Sequence, residues 1–204
     1  MLLEGLYAIT DEILTPPEMI IDQCEIALRS GINILQYRHK SATDEEAEPI
    51  CRDLLELCRS YGVLFVIDDR VVLAQKIGAD GLHIGKDDMN LAHARTVFGR
   101  GFIGVSCYGN IKKALEAQSE GADYVAFGSF YPSPTKPHSG VVPLSVLDRS
   151  RKVLKIPICA IGGINSTNIG EIASHKPHMI SVVSAVFKGD IAANIIKLKQ
   201  GIAS

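Results

Sequence analysis

Short, uninterrupted apolar runs recur along the chain and are separated by longer amphipathic segments. Parallel strands that are covered on both faces have such continuous apolar runs, whereas half-exposed strands alternate apolar and polar residues. The pattern predicts strands at 6–9, 32–37, 63–67, 81–84, 102–105, 124–127, 158–161 and 179–183. Their regular succession indicates a repeated strand–helix unit.

The segments between these strands carry helix start and stop signals. Thr15 with Glu18 forms a capping-box pattern around two prolines, and Gly31 stands where the first helix would end. Thr43 with Glu46 predicts the start of a second helix that ends at Gly62, although Pro49 perturbs its first turn. Further helices are predicted at 71–77, 91–97, 111–120, 143–154, 167–174 and 191–199.

Glycine, alanine and aspartate occur twice in the same order before a strand, at 78–80 and at 121–123. We interpret Asp80 and Asp123 as structural residues in tight turns. Parallel strands joined by helices require right-handed crossovers, and such units close most naturally into a barrel. The sequence therefore predicts one α/β domain over 1–204, a parallel (β/α)8 TIM barrel, with an open doubly wound sheet as the weaker alternative.

The bulk composition excludes several classes of partner. A chain of 204 residues with 47% hydrophobic and 22% charged residues suits a single core, and the net charge of −2 offers no basic field for nucleic acid or an anionic membrane. The start of the chain lacks a signal-peptide pattern, and no apolar run is long enough to cross a bilayer. Five cysteines without a CxxC pair predict reduced, buried thiols. We expect a soluble cytoplasmic protein.

Polar residues follow the predicted strands at the face where barrel enzymes carry their active sites. After strand 2, alternation sends Gln36, Arg38 and Lys40 to one side and Tyr37 and His39 to the other. An arginine fork beside a lysine suits a phosphate or diphosphate, although an ordinary basic strand end has the same composition.

Carboxylates follow the next two strands. Asp68 and Asp69 end strand 3, and Asp87 and Asp88 come shortly after strand 4. Carboxylates facing a diphosphate pocket indicate a bridging cation, and Mg²⁺ typically takes one or two carboxylates together with phosphate oxygens. Helix capping is the alternative for Asp87 or Asp88.

The remaining strand ends carry small, hydroxyl-bearing or basic residues of the kind that bind phosphate. They are Ser106, the loop containing Ser133, Thr135 and Lys136, Gly162 with Gly163, and Val183 with Ser184. Glycine and small residues that open helices 7 and 8 commonly hold a phosphate on backbone N–H groups in barrels. Each segment is ambiguous alone, but together they predict a phosphate-handling enzyme.

In these motifs and their order, the chain resembles the thiamine phosphate synthase family over essentially its whole length. The matching segments are LYAITD at 6–11, QYRHK at 36–40, DR at 69–70, GLHIG at 81–85 with Asp88, GVS at 104–106, SPTK at 133–136, AIGG at 160–163 and VVSA at 182–185. The resemblance implies condensation of 4-amino-2-methyl-5-(diphosphooxymethyl)pyrimidine with a thiazole phosphate, giving thiamine phosphate and diphosphate.

The resemblance also implies roles for individual residues. The pyrimidine diphosphate would be held by Gln36, Arg38, Lys40, Ser106 and Lys136, of which the last four would act in catalysis. Mg²⁺ would be held by Asp69 and Asp88. The thiazole phosphate would be held by Ser133, Thr135, Gly163, Val183 and Ser184, and the substrate-binding set also includes Tyr37, His39, Asp68 and Pro134. A homo-oligomer is compatible with the sequence.

Three positions depart from the family pattern. The family usually has asparagine at Asp68, glutamine at Lys86 and histidine at Tyr108. An ionised Asp68 only accepts hydrogen bonds, whereas the amide it replaces can donate. An ionised Asp68 therefore cannot donate a hydrogen bond to the pyrimidine diphosphate as the amide would.

Three rival functions are compatible with the same barrel. They are a thiazole tautomerase, a non-catalytic regulatory barrel of the same descent, and an unrelated phosphosugar isomerase or epimerase. None of these would need the metal carboxylates and diphosphate cations. Mg²⁺-dependent diphosphate release separates the synthase from all three.

Overall fold

The computed structural model describes residues 2–85, 88–132 and 140–203. Parallel strands pair in chain order, and the last pairs again with the first, so that the sheet closes into a barrel. Strands β1 to β8 are Gly5–Ile9, Ile34–Tyr37, Leu64–Asp68, Gly81–Ile84, Phe102–Tyr108, Tyr124–Phe127, Ile158–Ile161 and Met179–Val182. The predicted (β/α)8 barrel is confirmed, and the open sheet is wrong because β1 and β8 are hydrogen-bonded.

Helices lie between the strands and after the last one. Helices α1 to α9 are Ile20–Arg29, Asp44–Tyr61, Val71–Ile77, Leu91–Phe98, Ile111–Ser119, Ser145–Val153, Ile169–Ser174, Ser184–Phe187 and Ile191–Ala203. The sequence pattern missed α8, which is a single turn. Within the described residues, no helix is both long enough and apolar enough to cross a membrane.

The first helix begins later than its capping-box pattern predicted. α1 starts at Ile20 after Met19, whose side chain makes no capping hydrogen bond. The hydroxyl of Thr15 instead donates to the carbonyl oxygen of Asp11 at 2.8 Å and accepts from the Asp11 N–H at 3.0 Å. The prediction at Thr15 is wrong because this local turn uses the hydroxyl that would have capped the helix.

The signals of the second helix are confirmed. The Thr43 hydroxyl accepts from the Glu46 N–H, and the Glu46 carboxylate accepts from the Thr43 N–H, which completes the capping box. The helix continues through Pro49 and ends at Gly62, whose φ of 67° is the left-handed conformation that favours glycine. Both ends of α2 are therefore fixed by local sequence.

The two repeated aspartates are structural, as predicted. Asp80 accepts from the Phe65 N–H at 2.9 Å, and Asp123 accepts from the Ile103 N–H at 2.7 Å. Each carboxylate therefore ties the turn before its own strand to the preceding strand. Arg95 also pairs with Asp123 at 2.5 Å.

Two apolar layers hold the barrel together. The larger layer lies between strands and helices and includes Cys24, Cys51 and Cys58. All five cysteines are free and buried, as the sequence predicted. Burial raises the pKa of Cys51 and of Cys58 to about 12, so these thiols stay protonated.

The smaller layer fills the inside of the barrel below the strand ends. It includes Tyr7, Ile34, Val66, Tyr124 and Met179. A Cβ at Gly104 would lie 2.0 Å from a ring carbon of Tyr124, so glycine is required where this tyrosine crosses the barrel. The interior is thus packed towards the starts of the strands, and in the described part of the chain it opens towards their carboxyl ends.

Candidate active site

The carboxyl ends of the strands surround a cavity of about 270 Å³. Ten of the residues to which the family resemblance assigns a role line it: Gln36, Arg38, Lys40, Asp68, Asp69, Asp88, Ser106, Gly163, Val183 and Ser184. The predicted alternation after strand 2 is borne out, because Tyr37 and His39 do not line the cavity. Convergence of residues from six strands is the geometry expected of a barrel active site.

The two residues on the other side of strand 2 have structural contacts instead. Tyr37 packs in the outer core, and burial raises the pKa of its phenol to about 12. His39 lies with Nε2 3.5 Å from the Glu12 carboxylate. The structure therefore places neither side chain at the cavity.

Arg38 and Lys40 form the basic rim of the cavity. The Arg38 N–H donates to the Thr10 hydroxyl at 2.9 Å, which anchors the strand end. The Asp68 carboxylate lies 3.4 Å from Arg38 Nε and 3.7 Å from Lys40 Nζ. The two cations therefore supply the charge compensation that Asp68 needs beside Asp69.

Asp69 lies at the start of the β3–α3 loop with an unusual backbone. Its φ of 63° lies in the left-handed region, which is uncommon for a residue other than glycine and often marks a functional site. Its N–H donates to the His83 carbonyl oxygen at 2.9 Å, and Lys40 Nζ contacts its carboxylate. This conformation is consistent with a carboxylate held towards the cavity.

Asp88 follows the neighbouring strand. One of its carboxylate oxygens accepts from the Gly85 N–H at 2.6 Å. The helix-capping interpretation of Asp88 is wrong, because Asn90 caps α4 by accepting from the His93 N–H at 2.9 Å. Asp87 and Lys86 lie outside the described residues.

Asp69 and Asp88 meet the requirements of a Mg²⁺ site that is completed by substrate. Both are carboxylates, both line the cavity, and they follow adjacent strands. Among the described residues no group of three or more metal-ligating side chains occurs. Mg²⁺ commonly takes only one or two protein carboxylates and fills its octahedron with waters and phosphate oxygens, so the residue set fits.

A chain of hydrogen bonds crosses the floor of the cavity. It runs from Gln36 through the hydroxyls of Tyr7 and Tyr124 to His83 and then to Ser106. Burial raises the pKa of both tyrosines well above the ordinary value, which keeps their hydroxyls protonated. Only Gln36 and Ser106 of this chain were predicted from the sequence.

The opposite part of the rim comes from β7 and β8. A Cβ at Gly163 would lie 2.5 Å from the Pro132 carbonyl oxygen, and the Tyr131 N–H donates to the Gly162 carbonyl at 3.0 Å. These glycines allow two loops to touch. Gly163 does not open a helix as expected, because α7 begins at Ile169, but Ser184 does open α8.

The thiamine monophosphate synthase family model matches residues 6–186. The chain belongs to the thiamine monophosphate synthase family. It is 46% identical to the thiamine-phosphate synthase of Thioalkalivibrio sulfidiphilus over 186 residues, which cover 91% of this chain and 88% of that one. It is 44% identical to the enzyme of the same name from Wolinella succinogenes, over 94% and 89% of the two chains.

A solved structure agrees with this membership of the thiamine monophosphate synthase family. The thiamine phosphate pyrophosphorylase from Pyrococcus furiosus superimposes with a TM-score of 0.90 at 34% identity. The alignment covers 98% of this chain and 95% of that one. The resemblance stated from the sequence motifs is confirmed at the level of family and fold.

Some candidate residues of this family member cannot be placed. Ser133, Pro134, Thr135 and Lys136 lie outside the described residues. Four further polar residues that line the cavity were not predicted from the sequence: Tyr7, His83, Tyr124 and Ser181. Alternation along β1, β4, β6 and β8 could have marked them as inward-facing. Because these side chains lie within otherwise apolar strands, the pattern instead indicates core residues.

Proposed function

We propose that the protein is a thiamine-phosphate synthase that joins the pyrimidine diphosphate to a thiazole phosphate. The observation that carries the proposal is one cavity with Arg38 and Lys40 beside Asp69 and Asp88. A rim of cations beside carboxylates that would hold a metal suits a diphosphate, and family membership supports the same substrate.

The leaving group is the part of the substrate that this rim would serve. A diphosphate carries several negative charges, and the charge on its departing oxygen grows as the C–O bond breaks. Arg38 and Lys40 are positioned to stabilise that developing charge. Asp69 and Asp88 would hold Mg²⁺, which supplies further positive charge against the diphosphate oxygens.

The two bond changes balance without a strong general base. The methylene carbon loses diphosphate with the electron pair of the C–O bond, and the electron-rich aminopyrimidine bears the resulting positive charge. The thiazole nitrogen then supplies the electron pair of the new C–N bond. No proton has to be removed for this bond to form.

We assign the thiazole phosphate to the rim formed by β7 and β8, where Gly163, Val183 and Ser184 line the cavity. In a closed eight-stranded barrel, β7 lies across from β3, so this rim faces the carboxylates. The two substrates would then meet across the cavity mouth. The roles of Ser133, Thr135 and Lys136 rest on the family resemblance alone.

A diphosphate-release assay with separated substrates tests the proposal. Diphosphate should appear in quantity with both substrates and Mg²⁺, and much less with either substrate alone. A thiazole tautomerase would consume its thiazole without releasing diphosphate, and a regulatory barrel would do neither. The relatives from Thioalkalivibrio sulfidiphilus and Wolinella succinogenes are both named thiamine-phosphate synthase, which favours the synthase over these rivals.

We also propose a cytoplasmic location for the protein. Five free thiols support a cytoplasmic location, because such thiols persist in a reducing compartment. A homo-oligomer stays a prediction from the sequence.

A further inference from the structure

Five side chains from five strands form one continuous hydrogen-bonded chain under the cavity. Gln36 Nε2 donates to the Tyr7 hydroxyl at 2.7 Å, and the hydroxyls of Tyr7 and Tyr124 are 3.1 Å apart. The Tyr124 hydroxyl lies 2.8 Å from His83 Nδ1, and His83 Nε2 lies 2.8 Å from Ser106 Oγ. The two ends, Gln36 and Ser106, both line the cavity.

The amide at one end sets the direction of the whole chain. Since the Tyr7 oxygen already accepts from Gln36, its hydrogen is directed to Tyr124. In the reverse arrangement Tyr7 would accept two bonds, and its own hydrogen would have no acceptor among the described residues. Water is a poor substitute, because Tyr7 is only 1% exposed. Buried donors are seldom left unpaired.

The same logic passes along the chain to the histidine. A Tyr124 oxygen that accepts from Tyr7 directs its hydrogen to His83 Nδ1, which must then be the unprotonated ring nitrogen. Both phenols keep their hydrogens because burial raises the pKa of each well above its ordinary value. The remaining hydrogen of a neutral imidazole is on Nε2, facing Ser106.

We propose that Tyr7, Tyr124 and His83 are positioning residues that make Ser106 a hydrogen-bond donor to an anion in the cavity. A Ser106 oxygen that accepts from His83 leaves its own hydrogen for the ligand, and a phosphate oxygen only accepts. The identity of the anion as the substrate diphosphate rests on the proposed function. The direction of the hydrogen-bonded chain is independent of the proposed function.

The tautomer of His83 tests the direction in the substrate-free protein. In ¹⁵N-histidine-labelled protein near neutral pH, long-range ¹H–¹⁵N correlations distinguish the two neutral forms, and a His83→Gln sample assigns the signal. We expect the hydrogen on Nε2. A hydrogen on Nδ1, or on both nitrogens, would overturn the proposal. This result is independent of whether the protein has synthase activity.

A double-mutant cycle tests whether the chain acts through Ser106. Tyr124→Phe should lower kcat/KM for the pyrimidine diphosphate by about tenfold in the wild-type background, but by less than about twofold in Ser106→Ala. Equal losses in both backgrounds would show that Tyr124 is only structural. Tyr61→Phe is the matched control, because its phenol donates to Glu25 on the outer surface.

Discussion

Asp68 pairs with the two cations of the rim that we propose bind the diphosphate. Its carboxylate lies 3.4 Å from Arg38 Nε and 3.7 Å from Lys40 Nζ, and both cations line the same cavity. Under the proposed function, a bound diphosphate would displace or share these ion pairs. The position matters because the family usually carries a neutral amide there.

We predict that Asp68→Asn lowers KM for the pyrimidine diphosphate by roughly threefold, without lowering kcat, since it frees both cations for the ligand. Steady-state kinetics at saturating Mg²⁺ measure both constants. A large loss of activity, accompanied by weaker Mg²⁺ dependence of the same variant, would instead identify Asp68 as a metal ligand.

Arg38 is expected to act more strongly on the transition state than on the bound substrate. The charge on the departing diphosphate grows as the C–O bond breaks, so Arg38→Ala should lower kcat as well as kcat/KM, each by at least about tenfold. Arg38→Lys retains the charge but loses the planar fork, so its kcat and kcat/KM should lie between those of the wild type and Arg38→Ala. A rise in KM alone would limit Arg38 to binding.

At the scale of elements, sequence patterns predicted a helix start correctly where neighbouring residues alone determine the capping contacts. The capping box of α2 forms because Thr43 and Glu46 are three residues apart and satisfy each other's backbone N–H groups. The same pattern at Thr15 failed because Asp11, four residues earlier, competes for the hydroxyl. A sequence pattern shows the potential donor and acceptor but not the competitor.

The α2 cap should contribute measurably to stability. Thr43→Ala removes the acceptor for the Glu46 N–H, and we expect the free energy of unfolding to fall by about 1 kcal/mol. Chemical denaturation measures the change. Thr96→Ala is the matched control, because the Thr96 hydroxyl bonds to Ala92 within its own helix and should change stability much less. Equal effects would refute the capping contribution.

Strand order could also be predicted, because repeated strand–helix units place successive strands side by side. The residues of the rim could be predicted because inward-facing and outward-facing positions alternate along each strand. This rule placed Arg38 and Lys40 at the cavity, and it separated them from Tyr37. The hydrogen-bond chain could not be predicted in the same way. Tyr7 and Tyr124 are 117 residues apart, and only closure of the barrel brings their hydroxyls together.

At the scale of the whole molecule, the lowered pKa of His178 couples folding to pH. Its Nδ1 accepts from the Ile158 N–H at 3.1 Å and so links the starts of β7 and β8. Partial burial and the nearby Arg151 lower the pKa of His178, while Glu4 raises it by less. Below the pKa of histidine in the unfolded chain, about 6.5, His178 is therefore protonated more in the unfolded state than in the folded state.

We predict that His178 contributes a loss of stability as the pH falls from about 7 to about 5. His178→Asn retains a side-chain oxygen that can accept from Ile158 but removes the titration. The melting temperature of this variant should therefore fall less over the same range than that of the wild type. Parallel curves for the two proteins would exclude His178 as a source of the acid sensitivity.

Asp69 and Asp88 are the proposed Mg²⁺ ligands beside the diphosphate cations, and the proposed function depends on them most. The direct measurement is the Mg²⁺ dependence of thiamine phosphate formation in wild type and Asp88→Ala, with exposed Asp53→Ala as the control. We predict that Asp88→Ala needs at least about tenfold more Mg²⁺ for half-maximal rate, while Asp53→Ala behaves like wild type. An unchanged Mg²⁺ requirement and near-normal turnover in Asp88→Ala would contradict the account.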